Sequence, residues 1–331
     1  MDLAGKHIVV TGGAGFIGSH LVDGLLAAGA SVRVIDDFST GTRENLREAA
    51  AHPRCEIVEA DVCDRLRMME LTKGIDVIYH LAIQCLRVSL ADPWSNHRVN
   101  AEGTLSMLDA ARTNGVRKFV YVSSSEIYGT ATVVPMTEEH PKEPITVYGA
   151  SKLAGELYTN AYHRTYGLRT TVIRPFNTYG PREHHLGKSA EVIPRFYTLI
   201  THNRPITVFG DGSQTRDFTY VADTARGMIA VGASDALDGE TINIARGEEV
   251  SVLAIAEKLA VLLGKKLQVR HLPERPGDVM RHWASNAKAK EKLGFVAVTD
   301  IDEGLRRYVD WCAKSGIDWD SVAASFPETN W

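Results

Sequence analysis

A glycine run set between two kinds of periodicity constrains this chain more than any other feature. Residues 7–11 are a short β-branched stretch, and residues 17–28 carry the apolar spacing of a helix. Between them Gly12, Gly15 and Gly18 stand three apart. A strand that enters a helix through residues without side chains lets a phosphate reach the first helical amides, where N–H groups and dipole favour an anion. This is the opening of a dinucleotide-binding βαβ unit, with Gly12, Gly15, Phe16, Ile17 and Gly18 as its expected pyrophosphate cradle. A second strand, 32–35, runs into Asp36 about 20 residues on, where a carboxylate accepts hydrogen bonds from the adenosine ribose and repels a 2′-phosphate. NAD is therefore expected rather than NADP. Arg33 lies inside the strand and does not reverse this. Asp61 and Val62 follow the third strand, and Asp61 reads equally well as an adenine contact or as a loop-starting aspartate.

The alternation continues. Further strands are predicted at 75–79, 119–122 and 170–174, with helices at about 100–113 and at 148–166. Strands alternating with helices need right-handed crossovers and a parallel sheet. The predicted fold is α/β: a Rossmann-type doubly wound parallel sheet with a smaller mixed α/β substrate-binding lobe. Beyond residue 174 proline and glycine become frequent and the elements shorten, which divides the chain into 1–175 and 176–331, with some later segments returning to the first domain. The net charge of −4 gives no electrostatic case for nucleic acid or an anionic membrane surface. No apolar run approaches the roughly 20 residues that span a bilayer. The amino terminus enters a strand pattern with no basic, apolar leader, and the four cysteines lack metal-ligand spacing, so a reduced cytoplasmic protein is expected.

Tyr148 and Lys152 are four residues apart in a predicted helix, which stacks a phenol and an ammonium on one face. A lysine charge beside a tyrosine favours the phenolate, so Tyr148 is expected to fall below its ordinary value of about 10 and to serve as a general base.

Together with Thr11-Gly-Gly-Ala-Gly-Phe-Ile-Gly-Ser-His20, several later segments complete a pattern: His80-Leu-Ala-Ile83, Asn100, Ser123-Ser-Ser-Glu126 and Arg174-Pro-Phe-Asn-Thr-Tyr-Gly-Pro-Arg182. Gly210-Asp-Gly-Ser-Gln-Thr-Arg216 and Arg275-Pro-Gly-Asp278 close it. Over nearly the whole chain this resembles the extended short-chain dehydrogenase/reductase family, in its nucleotide-sugar epimerase and dehydratase branch. The resemblance implies that Ser124 holds a sugar hydroxyl and Tyr148 takes its proton. It gives Lys152 the nicotinamide ribose and polarisation of Tyr148. It implies cofactor contacts at Leu81, Ala82 and Asn100. Asn177, Val192, Arg216, Arg275 and Asp278 would bind the nucleotide sugar, a UDP-sugar being favoured, with the two arginines on phosphate oxygens. Arg87 reads equally as a structural residue or as a contact for a sugar carboxylate. Adjacent His184 and His185 lack metal-site geometry and are expected on a substrate-covering loop or the surface. A homodimer is implied, through helices near 101–114 and 150–166 with Leu105, Leu108, Leu153 and Leu157 as candidates.

The first oxidation would give a transient 4-keto sugar, whose fate turns on Ser125 and Glu126. A 4-epimerase needs only to return the hydride to the other face, and in the resembling epimerases the position of Glu126 commonly carries a small residue. Ser-Glu here resembles some dehydratases and the uronate decarboxylases, in which a carboxylate can remove the C5 proton. Yet the acid preceding that glutamate in the dehydratases is Ser125. A UDP-hexose or UDP-uronate 4-epimerase is the first reading. A dehydratase or UDP-glucuronate decarboxylase using Glu126 is the alternative, and a non-catalytic NAD-binding protein the third.

Overall fold

In the computed structural model residues 1–273 and 279–327 are described. Five strands fall where the periodicity placed them, β1 (His7–Thr11), β2 (Ser31–Asp36), β4 (Val77–His80), β5 (Lys118–Val122) and β6 (Thr170–Pro175), and the third strand expected before Asp61 is β3 (Cys55–Glu59). A seventh, Glu240–Ile244, pairs with β6, and the order across the sheet is 240–244, β6, β5, β4, β1, β2, β3, all parallel. β4 and β5 are buried along their whole length, and so read as apolar runs rather than alternations. That arises from helices covering both faces.

On one face the helix Phe16–Ala27 packs against Val221–Ala233, with Leu21, Val22 and Leu25 meeting Met228 and Val231 in the core. On the other face Gly103–Thr113 and Val147–Tyr166 cover Ile78, Phe119 and Tyr121. The chain leaves β1 toward β2 on one side and returns through β4 on the other. This reversal opens a crevice at the carboxyl ends of the strands, the usual ligand position in open α/β sheets.

The smaller lobe closes the crevice. Helices Val192–Thr201, Val252–Leu262 and Ile301–Lys314 share a core of Ile193, Phe196, Ile255, Leu259, Leu305 and Tyr308. Short strands Thr215–Arg216, Val250–Ser251 and Arg281–His282 form a small sheet at its edge. Helix Val221–Ala233 and strand Glu240–Ile244 go back to the main sheet, so 176–331 is interrupted as a unit. Among the described residues no helix is long and apolar enough to cross a membrane.

Candidate active site

The glycine run does what its spacing requires. Gly12 has φ +68°, and a Cβ there would lie 2.7 Å from the Ala82 amide nitrogen. A Cβ on Gly18 would fall 2.1 Å from the Gly12 carbonyl oxygen. Loop and helix thus meet backbone to backbone. Gly15 caps the helix Phe16–Ala27 in extended conformation, with no side chain on the first-turn amides and no acid in that turn. Those N–H groups are left for a ligand, and the residues fit a pyrophosphate. Asp36 is buried beside them: Oδ2 accepts from the Ala14 N–H (2.8 Å) and Oδ1 from the Phe38 N–H (2.9 Å). Burial raises its pKa and the two amides oppose that rise. Arg33 is turned away, its guanidinium on Glu56 and the Leu71 carbonyl.

Asp61, Val62, Leu81 and Ala82 line the same cleft. Asp61 is also the loop former, accepting from the Cys63 N–H (2.8 Å) and from Arg98 (2.5 Å). Asn100 is buried behind Gln84, which lines the cleft. It lies within the turn Arg98–Glu102, 1 % exposed, with Oδ1 taking the Gln84 N–H (2.8 Å) and Nδ2 shared among the Gln84 carbonyl, Ser151 and Asn96. This amide ties the loop after β4 to the helix Val147–Tyr166.

At the end of β5, Ser124 caps the short turn Ser125–Tyr128, its Oγ accepting from the Glu126 N–H (3.2 Å). Tyr148 sits in the first turn of the helix Val147–Tyr166, which Thr146 caps through the Gly149 N–H (3.1 Å). Gly149 lets this helix start press against the Glu126 carbonyl, since a Cβ there would be 2.7 Å away. The two elements bring the Tyr148 phenol onto the Ser124 hydroxyl, with Ser124, Ser125, Glu126, Tyr148 and Lys152 all lining the cleft.

The electrostatics differ from the expected ones. Burial pushes the Tyr148 phenol up, the Ser124 hydrogen bond brings it partway down, and the Glu126 charge adds to the rise. Lys152 is 1 % exposed, donates to the Val122 carbonyl (2.5 Å) and lies 4.4 Å over the Tyr121 ring. Burial lowers it to about 7, against the pull of Glu156. Spacing placed the pair correctly, but desolvation outweighs the attraction expected between them.

Behind the helix, Arg174 and Glu156 form a fully buried two-point pair (2.9 and 2.7 Å). Arg174 also donates to the Tyr128 hydroxyl and the Glu138 carbonyl, both at 2.8 Å.

At the opposite end Asn177, Val192 and Arg216 line the cleft as expected. Arg216 is steadied by the Thr215 and Val279 carbonyls (2.9 and 2.6 Å). Arg275 and Asp278 lie outside the described residues. Arg87 is in the cleft wall, yet its guanidinium is held by Glu191 (3.1 and 3.3 Å) and the Ser189 carbonyl (3.2 Å). His184 and His185 border the cleft, His185 donating to the Glu183 carbonyl (3.1 Å) and packing on Trp319. Among the described residues no cluster could hold a metal ion.

Three further residues were not legible as site residues in the sequence. Glu191 is the partner of Arg87. Glu183, 3 % exposed and held by the Gly180 N–H (3.2 Å), is pushed far above the carboxylate range by burial and by Glu191. His282 is lowered to about 3 by burial, so it is neutral; Nε2 donates to the Ser125 carbonyl (3.2 Å) and Nδ1 accepts from Asn177 (3.5 Å). It joins the substrate end to the catalytic turn. An adjacent arginine motif was the only local signal for any of them.

One continuous cleft of about 1030 Å³ contains both ends, with Ser124 and Tyr148 where they meet. A fold that seats a dinucleotide beside a serine-held phenol belongs to the extended short-chain dehydrogenases/reductases. Within that class residues 8–245 match the NAD dependent epimerase/dehydratase family, and the chain belongs to it. It is 38% identical over 306 residues to a UDP-glucose 4-epimerase of Mycolicibacterium smegmatis, covering 92% of this chain and 97% of that one. Among solved structures it is similar to a UDP-N-acetylglucosamine 4-epimerase from Methanobrevibacter ruminantium M1, in complex with UDP-N-acetylmuramic acid (TM-score 0.89, 33% identity, 94% of this chain and 99% of that one). It is also similar to the dTDP-glucose 4,6-dehydratase DesIV of Streptomyces venezuelae with NAD bound (TM-score 0.90, 33% identity, 96% and 99%). The protein is an NAD-dependent nucleotide-sugar enzyme.

Proposed function

We propose that the protein is a UDP-sugar 4-epimerase. The observation that carries this reading is the Ser124–Tyr148 pair at the junction of the two halves of one cleft, with no second acid beside Glu126 in the catalytic turn. The nucleotide is held at Asn177 and Arg216. Ser124 orients the C4 hydroxyl, and Tyr148 takes its proton. Gly12–Gly18 and Asp36 would hold NAD, which would supply the hydride acceptor at C4 and the hydride's return. Tyr148 then restores the proton once the keto sugar has presented its other face. Lys152 stands one helical turn from the phenol as the cation that favours its ionised form.

Glu126 supports a second reading. It lines the cleft near Tyr148, where a carboxylate could remove a C5 proton and begin a dehydration. Ser125 weakens it, being buried and without the acidity to protonate a leaving C6 hydroxyl. Product analysis with UDP-glucose, UDP-N-acetylglucosamine and UDP-glucuronate separates the outcomes. Unchanged mass with inverted C4 is expected. Loss of water with solvent deuterium at C5, or release of carbon dioxide, would replace the reading by dehydratase or decarboxylase.

We infer a homodimer through the helices Gly103–Thr113 and Val147–Tyr166. Leu105 (40 %) and Leu157 (61 %) are exposed large apolar residues on these helices, as an interface requires, whereas Leu108 is core and Leu153 is partly buried.

A further inference from the structure

Arg87 and Glu191 come from opposite sides of the cleft and 104 residues apart. Arg87 is on the helix Leu86–Ala91 of the first lobe, and Glu191 precedes the helix Val192–Thr201 of the second. Nη1 and Nη2 meet the two carboxylate oxygens separately, at 3.1 and 3.3 Å. A guanidinium fork is shaped for this planar two-point contact, and a sugar carboxylate would use the same fork. Glu191 already fills it. Nor is Glu191 there to close its own helix, because at the N-cap position its side chain accepts no first-turn amide.

The surroundings reinforce the block. Glu183, kept protonated by burial, adds a second carboxyl group beside the pair but no charge of its own. Arg182, which also lines the cleft, is held by Asp23 (2.7 Å), and Arg195 stacks on Phe326 (4.7 Å) and donates to the Pro327 carbonyl (2.9 Å), with Nη1 wholly enclosed. Neither offers an open fork. Arg87 and Glu191 line the same cleft as Ser124 and Tyr148. An incoming uronate would have to displace the Glu191 carboxylate and lie against its charge, a cost that a neutral sugar does not meet.

We propose that Glu191 is the specificity gate of this enzyme: by filling the guanidinium fork of Arg87 it denies the sugar pocket a carboxylate site, so neutral UDP-hexoses are taken and UDP-uronates are turned away. The gate rests on the UDP-sugar reading given above.

The test compares the full-length protein with Glu191→Gln and with the double variant Arg87→Gln/Glu191→Gln. Binding of UDP, UDP-glucose and UDP-glucuronate is measured by calorimetry, and kcat and KM are determined separately for both sugars. The wild type should prefer UDP-glucose. In Glu191→Gln the affinity for UDP-glucuronate relative to UDP-glucose should rise about tenfold to a hundredfold, the scale of a charged hydrogen-bonded contact, and the gain should vanish in the double variant. UDP itself should bind all three proteins alike. UDP binding with no such shift, a shift that survives loss of Arg87, or a wild type that prefers UDP-glucuronate would each overturn the gate. Failure of UDP to bind the wild type would instead overturn the UDP-sugar reading, and the gate with it.

Discussion

Removing Glu156 should separate the stability of this fold from the tuning of the buried Lys152. Its pairing with Arg174 is fully buried and made at two points. Breaking such a pair from one side leaves an uncompensated charge in the interior, at a cost of about 3–5 kcal/mol. For 331 residues the unfolding entropy near the midpoint is about 0.7 kcal/mol/K, so Glu156→Leu should lower Tm by roughly 4–7 °C. Replacing both partners, Glu156→Leu with Arg174→Met, removes the stranded charge and should return most of that loss. Scanning calorimetry at fixed protein and NAD concentrations reads both effects.

The functional arm has a different signature. Glu156 is the charge that holds Lys152 up against burial. Without it Lys152 falls further below about 7, and the limb of the pH–rate profile that needs the ammonium moves to lower pH. Arg174 does not restore this charge, so the double variant should recover its melting temperature and keep the shifted limb. A single variant melting within about 1 °C of wild type, or a double variant worse than both singles, would refute the energetic reasoning. A double variant with the wild-type profile would refute the electrostatic part.

The same geometry yields four further expected outcomes. Ser124→Ala removes the hydrogen bond that lowers Tyr148, so the rise of kcat with pH should shift to higher pH and kcat at pH 7 should drop about tenfold to a hundredfold, as read by stopped assays across pH. Asp36→Asn turns one oxygen, now facing an amide donor, into a second donor, and NAD affinity by calorimetry should fall about tenfold to a hundredfold. Gly18→Ala puts a methyl group onto the Gly12 carbonyl and should abolish measurable NAD binding while leaving the far-ultraviolet dichroism of the fold intact. Leu157→Glu charges the inferred dimer face and should yield monomers by sedimentation velocity without lowering Tm by more than about 2 °C.

What the sequence made legible was what depends on neighbours within a turn or a strand. The glycine spacing, Asp36 at the end of β2 and the Tyr148–Lys152 stack are local patterns, and each stands where expected. Helix Gly103–Thr113 was also foreseen, though not the wider turn Arg98–Glu102 that leads into it. Contacts between distant residues stayed hidden. Glu191 meets Arg87 across 104 positions, and His282 reaches the Ser125 carbonyl across 157. Strand Glu240–Ile244 re-enters the main sheet after an excursion through the smaller lobe, and nothing in its own five residues says so. Asn100 carried a family motif, and its amide is bonded to Gln84, Ser151 and Asn96 of its own chain. A motif marks which residues recur together, and tertiary packing decides which of their polar atoms remain free.

The same distinction governs the chemistry. Desolvation is the first cause of the shifts at Tyr148, Lys152, Asp36 and Glu183, and it penalises whichever form carries charge. In the protein by itself Tyr148 therefore keeps its proton at neutral pH, and Lys152 is close to giving one up. A base held neutral in this way does not act on any alcohol that drifts into the cleft. Only a positive charge set beside it would favour its ionisation, since filling the cleft with uncharged groups removes still more water. Four residues of helical spacing identify the phenol and the amine, but burial determines when they react.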